Sequence, residues 1–177
     1  MTIDKKAIDN IILWHFLLVM TCQLIKERNT MLTTILAALF KRDLLKLKSE
    51  IESYKDEANL WKIEKNIANP AGNLCLHLIG NLNTYIGATL GQSGYVRNRD
   101  AEFSLKNIPR KELIQKIEYT INMIDRVMPT LTTDQLEKEY PMVVLKEPTS
   151  TEFFLMHLAT HLSYHLGQVN YHRRLID

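Results

Sequence analysis

The stretch TEFFLMHLATHLSYHLGQVNYHRR, residues 151–174, decides the fold. Leu155, Leu158, Leu162, Leu166 and Val169 recur at a helical period, with neither Gly nor Pro before Gly167. Pro148 stops any helix arriving from upstream, and Thr149-Ser150-Thr151-Glu152 has the pattern of a capping box. These signals predict a helix roughly 36 Å long, at about 1.5 Å per residue. His157, His161 and His165 succeed one another at strict four-residue spacing. A four-residue step turns about 40° past a full turn, so the three imidazoles share one ridge. His172 stands one residue short of the next step.

Neutral imidazole is the commonest protein ligand for divalent transition metals, and a pair at i, i+4 can reach one ion from a single helix. The alternative is a helix whose ring nitrogens are satisfied by neighbouring carbonyls or carboxylates. Spacing alone leaves both readings open.

The rest of the chain sets the frame. Its 177 residues are 46% hydrophobic and 24% charged, which suits a folded domain with a substantial core. Twenty-two Lys and Arg against twenty Asp and Glu leave a formal charge of +2 without a dense basic cluster, so nucleic acid is not an expected partner. Cys22 and Cys75 are far apart and make neither a disulfide framework nor a thiolate zinc site, which points to a reducing, cytoplasmic setting. Leu, Ile, Lys and Glu dominate while Gly and Pro are scarce, an all-α composition.

Residues 1–29 are expected to be an extension. Behind Lys5-Lys6 runs an apolar stretch, Ile11–Cys22, broken only by His15. It is too short to span a bilayer, so no membrane is expected as a partner. It resembles the core of an export signal, but Met20-Thr21 before Cys22 is a poor processing site, and Asp4 and Asp9 dilute the basic head. An extra amphipathic helix, or residues upstream of a start at Met31, are the preferred readings.

From residue 30 onward four helices are predicted. Thr30–Tyr54 sets Leu32, Ile35, Leu36, Leu39, Phe40, Leu44, Leu47 and Ile51 on one face, with Lys41, Arg42, Lys46, Lys48 and Glu50 opposite. A loop over Trp61–Asn69 leads to Pro70 and a second helix, Ala71–Leu90, with His77 at its middle. That helix tolerates Gly80, Gly87, Asn73, Asn81 and Asn83, and each glycine costs about 1 kcal/mol relative to Ala. Such costs around a central His suggest a purpose beyond packing; a core His bonded to one of the asparagines is the alternative. The cluster Arg97, Arg99, Asp100, Glu102 reads either as a solvated loop or as the cap of a pocket whose arginines grip a carboxylate. A third helix, Arg110–Met128, carries Leu113, Ile117, Ile121, Ile124 and Met128; Pro129 ends it. The connection 132–148 holds a possible turn of helix at Thr133–Lys138 and an extended piece at Met142–Leu145.

The ordered set LHLIGNL, RNRDAEF and HLSYHLGQVNYHRR resembles the DinB-like (damage-inducible, YfiT-type) metalloenzyme superfamily over about residues 31–177. The resemblance implies a four-helix bundle of up-down-down-up topology over residues 30–177, commonly a homodimer. It implies a divalent metal, nickel or zinc, held by His77, His161 and His165, the last standing just before Gly167-Gln168. His157 is one turn early and remains the challenger to His161. With Asn81, Arg97 and Arg99 it is expected to support the ligands from behind or to line the pocket, and His172 to lie at the open end beyond the site. No Asp or Glu is near His77 in sequence, and neither Asp100 nor Glu102 is assigned as a base. The implied activity is transfer to an electrophile of a small-molecule thiol, as in thiol S-transferases. The alternative is a non-catalytic, stress-related metal-binding interaction protein.

Overall fold

A computed structural model describes the backbone of residues 5–64 and 66–177, and their side chains apart from residues 5–12 and 29. The basic pair Lys5-Lys6, Asp4, Asp9 and the first residues of the apolar run therefore lie outside the described side chains. The described chain is all-helical. It comprises α1 (Lys5–Glu52), a 3₁₀ turn (Glu57–Trp61), α2 (Ala71–Leu82), a π turn (Asn83–Ala88), α3 (Arg99–Ser104), α4 (Arg110–Val127), a 3₁₀ turn (Met128–Thr130), α5 (Thr133–Glu137) and α6 (Thr151–Ile176).

α1 is longer than expected. No break separates its first half from the predicted helix at Thr30, because neither Gly nor Pro occurs across the junction and the backbone hydrogen bonds continue through it. The first half projects, with Leu13–Arg28 exposed; burial begins at Leu32 and Thr33. Among the described residues no helix is long and apolar enough to cross a membrane.

Beyond that point, spacing becomes packing. Leu36, Phe40, Leu44, Leu47 and Ile51 of α1 are buried and meet the α4 stripe Leu113, Ile117, Ile121 and Ile124. Each fully buried Leu or Ile is worth about 1.5–3 kcal/mol. Two α1 positions depart from the expected faces. Ile35 is exposed, and Glu50, expected on the polar face, is buried where Arg173 Nε (2.8 Å) and Asn170 Nδ2 (2.9 Å) of α6 donate to it.

Ion pairs give the helix directions. Lys41 pairs with Asp125 and Lys48 with Glu118, so α4 runs antiparallel to α1. Glu50 meets Arg173, and Asp177 accepts from the Lys55 backbone, so α6 runs parallel to α1. The 132–150 connection contains the expected turn of helix, α5, which the structure shows to be held by a Thr132–Gln135 capping box. The extended piece at Met142–Leu145 forms no strand; the backbone pairing there is a lone bridge between Glu139 and Ser150. The cap of α6 is Ser150 rather than Thr149. Its hydroxyl accepts from Phe153 N, so the reciprocal Glu152 half of a capping box is absent.

Candidate metal centre

Helices α2 and α6 pack side by side, and their facing ridges bring His77, His161 and His165 together. One nitrogen from each ring lies within 4.8 Å of the others. His77 Nε2 is 3.4 Å from His161 Nε2, which is 3.1 Å from His165 Nε2. Three nitrogens about 2.0–2.1 Å from one tetrahedral ion would stand roughly 3.3 Å apart. The spacing fits an ion. The three histidines can hold one, and no fourth His, Cys, Asp or Glu joins them among the described residues.

What fixes each ring differs. His77 is buried, and its Nδ1 lies 3.0 Å from Glu102 Oε2. A carboxylate only accepts, so Nδ1 carries the proton and Nε2 turns a bare lone pair to the centre. Glu102 is anchored in turn by Arg97, whose Nε and Nη2 donate to the two carboxylate oxygens at 2.7 and 2.9 Å. Burial alone would raise the Glu102 carboxyl, but the hydrogen bonds of His77 and Arg97 and the Arg97 charge outweigh it and hold it below its ordinary value. His165 Nδ1 lies 2.6 Å from Gln168 Oε1, which likewise leaves its Nε2 bare. His161 has no such support: its Nδ1 is buried without a partner. Burial, then the other three histidines and Arg97, push His161 down to about 4, and burial lowers His165 as well. Both rings are therefore neutral at pH 7, the form that ligates a metal.

The cluster Arg97–Glu102 is not simply a solvated loop: Arg97 and Arg99 both line the cavity beside the centre, as the pocket reading expected, but the carboxylate that Arg97 grips is that of Glu102. Asn98 caps α3, its side chain accepting from Ala101 N, and the short helix drops Glu102 against α2. Gly80 makes room for it, because a Cβ at that position would overlap Glu102 Oε1 and push the carboxylate aside. The asparagines do not hold His77. Asn73 donates to the Glu102 and Leu105 carbonyls, and Asn83 to the Ile79 carbonyl and Thr120 Oγ1.

Beside the centre a cavity of about 350 Å³ opens between α2 and α6, bordered by His77, His161, Asn81, Tyr85, Phe154 and His157. The π turn after α2 delivers Tyr85 to this wall; the Tyr140 hydroxyl donates to the Tyr85 carbonyl at 2.8 Å. His157 stacks between Phe154 and His161, outside the group of three. Asn81 Oδ1 is buried without a partner, and exposed Arg99 stands at the rim. His172, expected at the open end of α6, is instead buried, with Tyr54 Oη at 2.7 Å from Nδ1 and the Lys62 carbonyl at 2.9 Å from Nε2. Cys75 is no nucleophile, since burial raises its thiol to about 12.

A search of curated proteins returns no match. One family model does match, over residues 32–177, starting where α1 begins to bury its side chains and containing the whole centre. The chain belongs to the family described as a protein of unknown function, DUF1572.

Proposed function

We propose that this chain is a divalent-metal-dependent enzyme, a transferase that activates a low-molecular-weight thiol at the three-histidine centre. The observation that carries the reading is the convergence of three imidazole nitrogens beside a cavity of about 350 Å³. Structural zinc sites close with a fourth protein ligand, whereas catalytic sites keep a position for substrate. Nickel or zinc suits an all-imidazole set. Such an ion lowers the pKa of a thiol or water that joins it, which gives a nucleophile at neutral pH.

The chain's own groups do the rest. Glu102 keeps the His77 proton on Nδ1, and Gln168 does the same for His165. Asn81 and His157 offer polar groups to a ligand in the cavity, while Phe154 and Tyr85 exclude water from one wall. In the transfer, the thiol sulfur bonds to an electrophilic carbon, the leaving group departs with the bonding pair, and the thiol proton passes to solvent.

The same reading assigns the chain to the DinB-like superfamily, with α1, α2, α4 and α6 as an up-down-down-up bundle. The helix directions support it: α6 is parallel to α1 and α4 antiparallel, and His77 to His161 with Tyr85 to Phe154 sets α2 against α6. Two unpaired cysteines suit a cytoplasmic location.

Elemental analysis of untagged protein, then a panel of small thiols with a model aryl halide, tests the proposal. About one divalent ion per chain and conjugation lost in His77→Ala, His161→Ala and His165→Ala are expected. Metal without turnover across the panel would instead favour a metal-binding interaction protein, and no metal would sink both readings.

A further inference from the structure

Three buried asparagines stand on the segment that carries His77, and the fold itself holds two of them. Asn73 donates to the Glu102 and Leu105 carbonyls and accepts from Lys106 Nζ at 2.6 Å. Asn83 donates to Thr120 Oγ1 and, reaching back four residues, to the Ile79 carbonyl. Asn81 differs. It stands one turn after His77 on α2, keeps 8% of its surface exposed, and its Oδ1 is buried without a hydrogen-bond partner.

Asparagine is a poor helix-interior residue, tolerated where its side chain bonds to nearby backbone or to a neighbour. Asn81 has no such local return. A buried acceptor left unpaired destabilises a fold, so its presence in a native protein needs a reason. Its position supplies one. Among the described residues, the buried side-chain polar atoms without a partner are Trp61 Nε1, Asn81 Oδ1, Arg110 Nε and His161 Nδ1. Asn81 and His161 line the cavity beside the metal centre, whereas Trp61 and Arg110 do not. The arginines on that wall leave the oxygen unserved, Arg97 being held by Glu102 and Arg99 standing exposed at the rim.

The geometry points to Asn81 as a specificity-determining residue: its side-chain carbonyl takes a hydrogen bond from the molecule that enters the cavity. The inference rests on the thiol reading of the centre and narrows it. The class is a thiol that carries a hydroxyl or an amide N–H a few bonds from its sulfur, rather than a plain alkyl thiol. Residues four apart on a helix have neighbouring side chains, with Cβ atoms about 5–6 Å apart. Asn81 therefore flanks the ion's position on the turn next to His77, within reach of a donor two or three bonds along the ligand. An acceptor of this kind discriminates more sharply than an apolar contact does. The analogue lacking the donor leaves the oxygen unpaired and out of water's reach.

Two measurements test the inference. In the first, the cobalt(II)-loaded full chain is titrated with 2-mercaptoethanol, N-acetylcysteamine and 1-propanethiol, and the thiolate-to-cobalt absorption band is followed. Beyond the second carbon these probes carry a hydroxyl, an amide N–H and a methyl group. At least one of the two donors is expected to bind about 10-fold or more tighter than 1-propanethiol, and whichever does so names the donor. In Asn81→Ala the preference is expected to shrink to about twofold or less with metal content unchanged. No preference in the wild type, or the same preference in both proteins, overturns the inference and leaves the thiol reading standing. No band with any of the three sinks both.

The second measurement needs neither metal nor thiol. Asn81→Leu removes an unpaired buried oxygen, so the thermal midpoint of the metal-free chain is expected to hold or rise, whereas Asn83→Leu lowers it. A midpoint that falls in Asn81→Leu as far as in Asn83→Leu would show that the amide is tied within the fold, and overturns the inference.

Discussion

His77 and His161 are 84 residues apart in sequence, yet their Nε2 atoms face each other at 3.4 Å. The Glu102 contact leaves the first of these nitrogens without a proton, and His165 Nε2 approaches the second at 3.1 Å. Lone pairs converging at that distance repel unless a proton or a cation stands among them. Metal removal should therefore destabilise the fold. At a thousandfold excess over its dissociation constant a ligand adds about 4 kcal/mol, which for a chain of this size is about 8–16 °C in midpoint. Thermal unfolding before and after chelation checks it, and His161→Ala should show no such difference.

Glu102 acts through His77. Outer-sphere partners of a ligating histidine typically change metal affinity about 10–100-fold when removed. Glu102→Gln should weaken binding within that range and leave the helical content unchanged. Gly80→Ala removes no polar group, but its Cβ displaces the Glu102 carboxylate and should give the same phenotype. Competition titration with a coloured chelator measures both. Full affinity in Gly80→Ala would show that the carboxylate is not positioned as described.

Much of this centre is legible in residue spacing, and the missing part is not. The four-residue step of His157, His161 and His165 and the helical setting of His77 are local signals, so the ridges can be read from the chain alone. Glu102 is 25 residues from His77 and sits in a run of mixed charges that resembles any solvated loop. Only Gly80, an apparent defect in α2, hints that something approaches there. Glu50 reads as a solvated residue for the same reason: its partners Asn170 and Arg173 are 120 and 123 residues away. The unbroken α1 reflects an absence of helix breakers at residues 28–31, which the change in composition there masks.

Tyr54 and His172 lock the end of α1 to α6. The Tyr54 hydroxyl and His172 Nδ1 are 2.7 Å apart in a buried setting, while the Lys62 carbonyl takes the Nε2 proton. Tyr54→Phe strips the donor and leaves a buried acceptor unpaired, at a cost of about 1–3 kcal/mol. His172→Gln should cost a similar amount, and the double variant less than the sum, because both single changes break one contact. Urea denaturation of the four proteins measures the coupling.

The metal-free protein should lose stability as the pH falls from 7 to 5. Burial lowers His172 and His165, and burial with neighbouring imidazoles takes His161 down to about 4. In the unfolded chain each titrates near its ordinary value of about 6.5. Between those values the unfolded state holds more protons than the folded state, so unfolding free energy rises with pH across the window and falls as acid is added. Above about pH 7.5 these groups are neutral in both states and contribute no slope. Glu50 and Glu102, held below their ordinary carboxyl range, add their own loss only at lower pH, below about 4.5. The expected result is a urea midpoint that drops steadily from pH 7 to 5, and less steeply in His161→Gln. A midpoint that is flat or rises over that interval would contradict the neutral, half-buried His161 and His165 on which the centre depends.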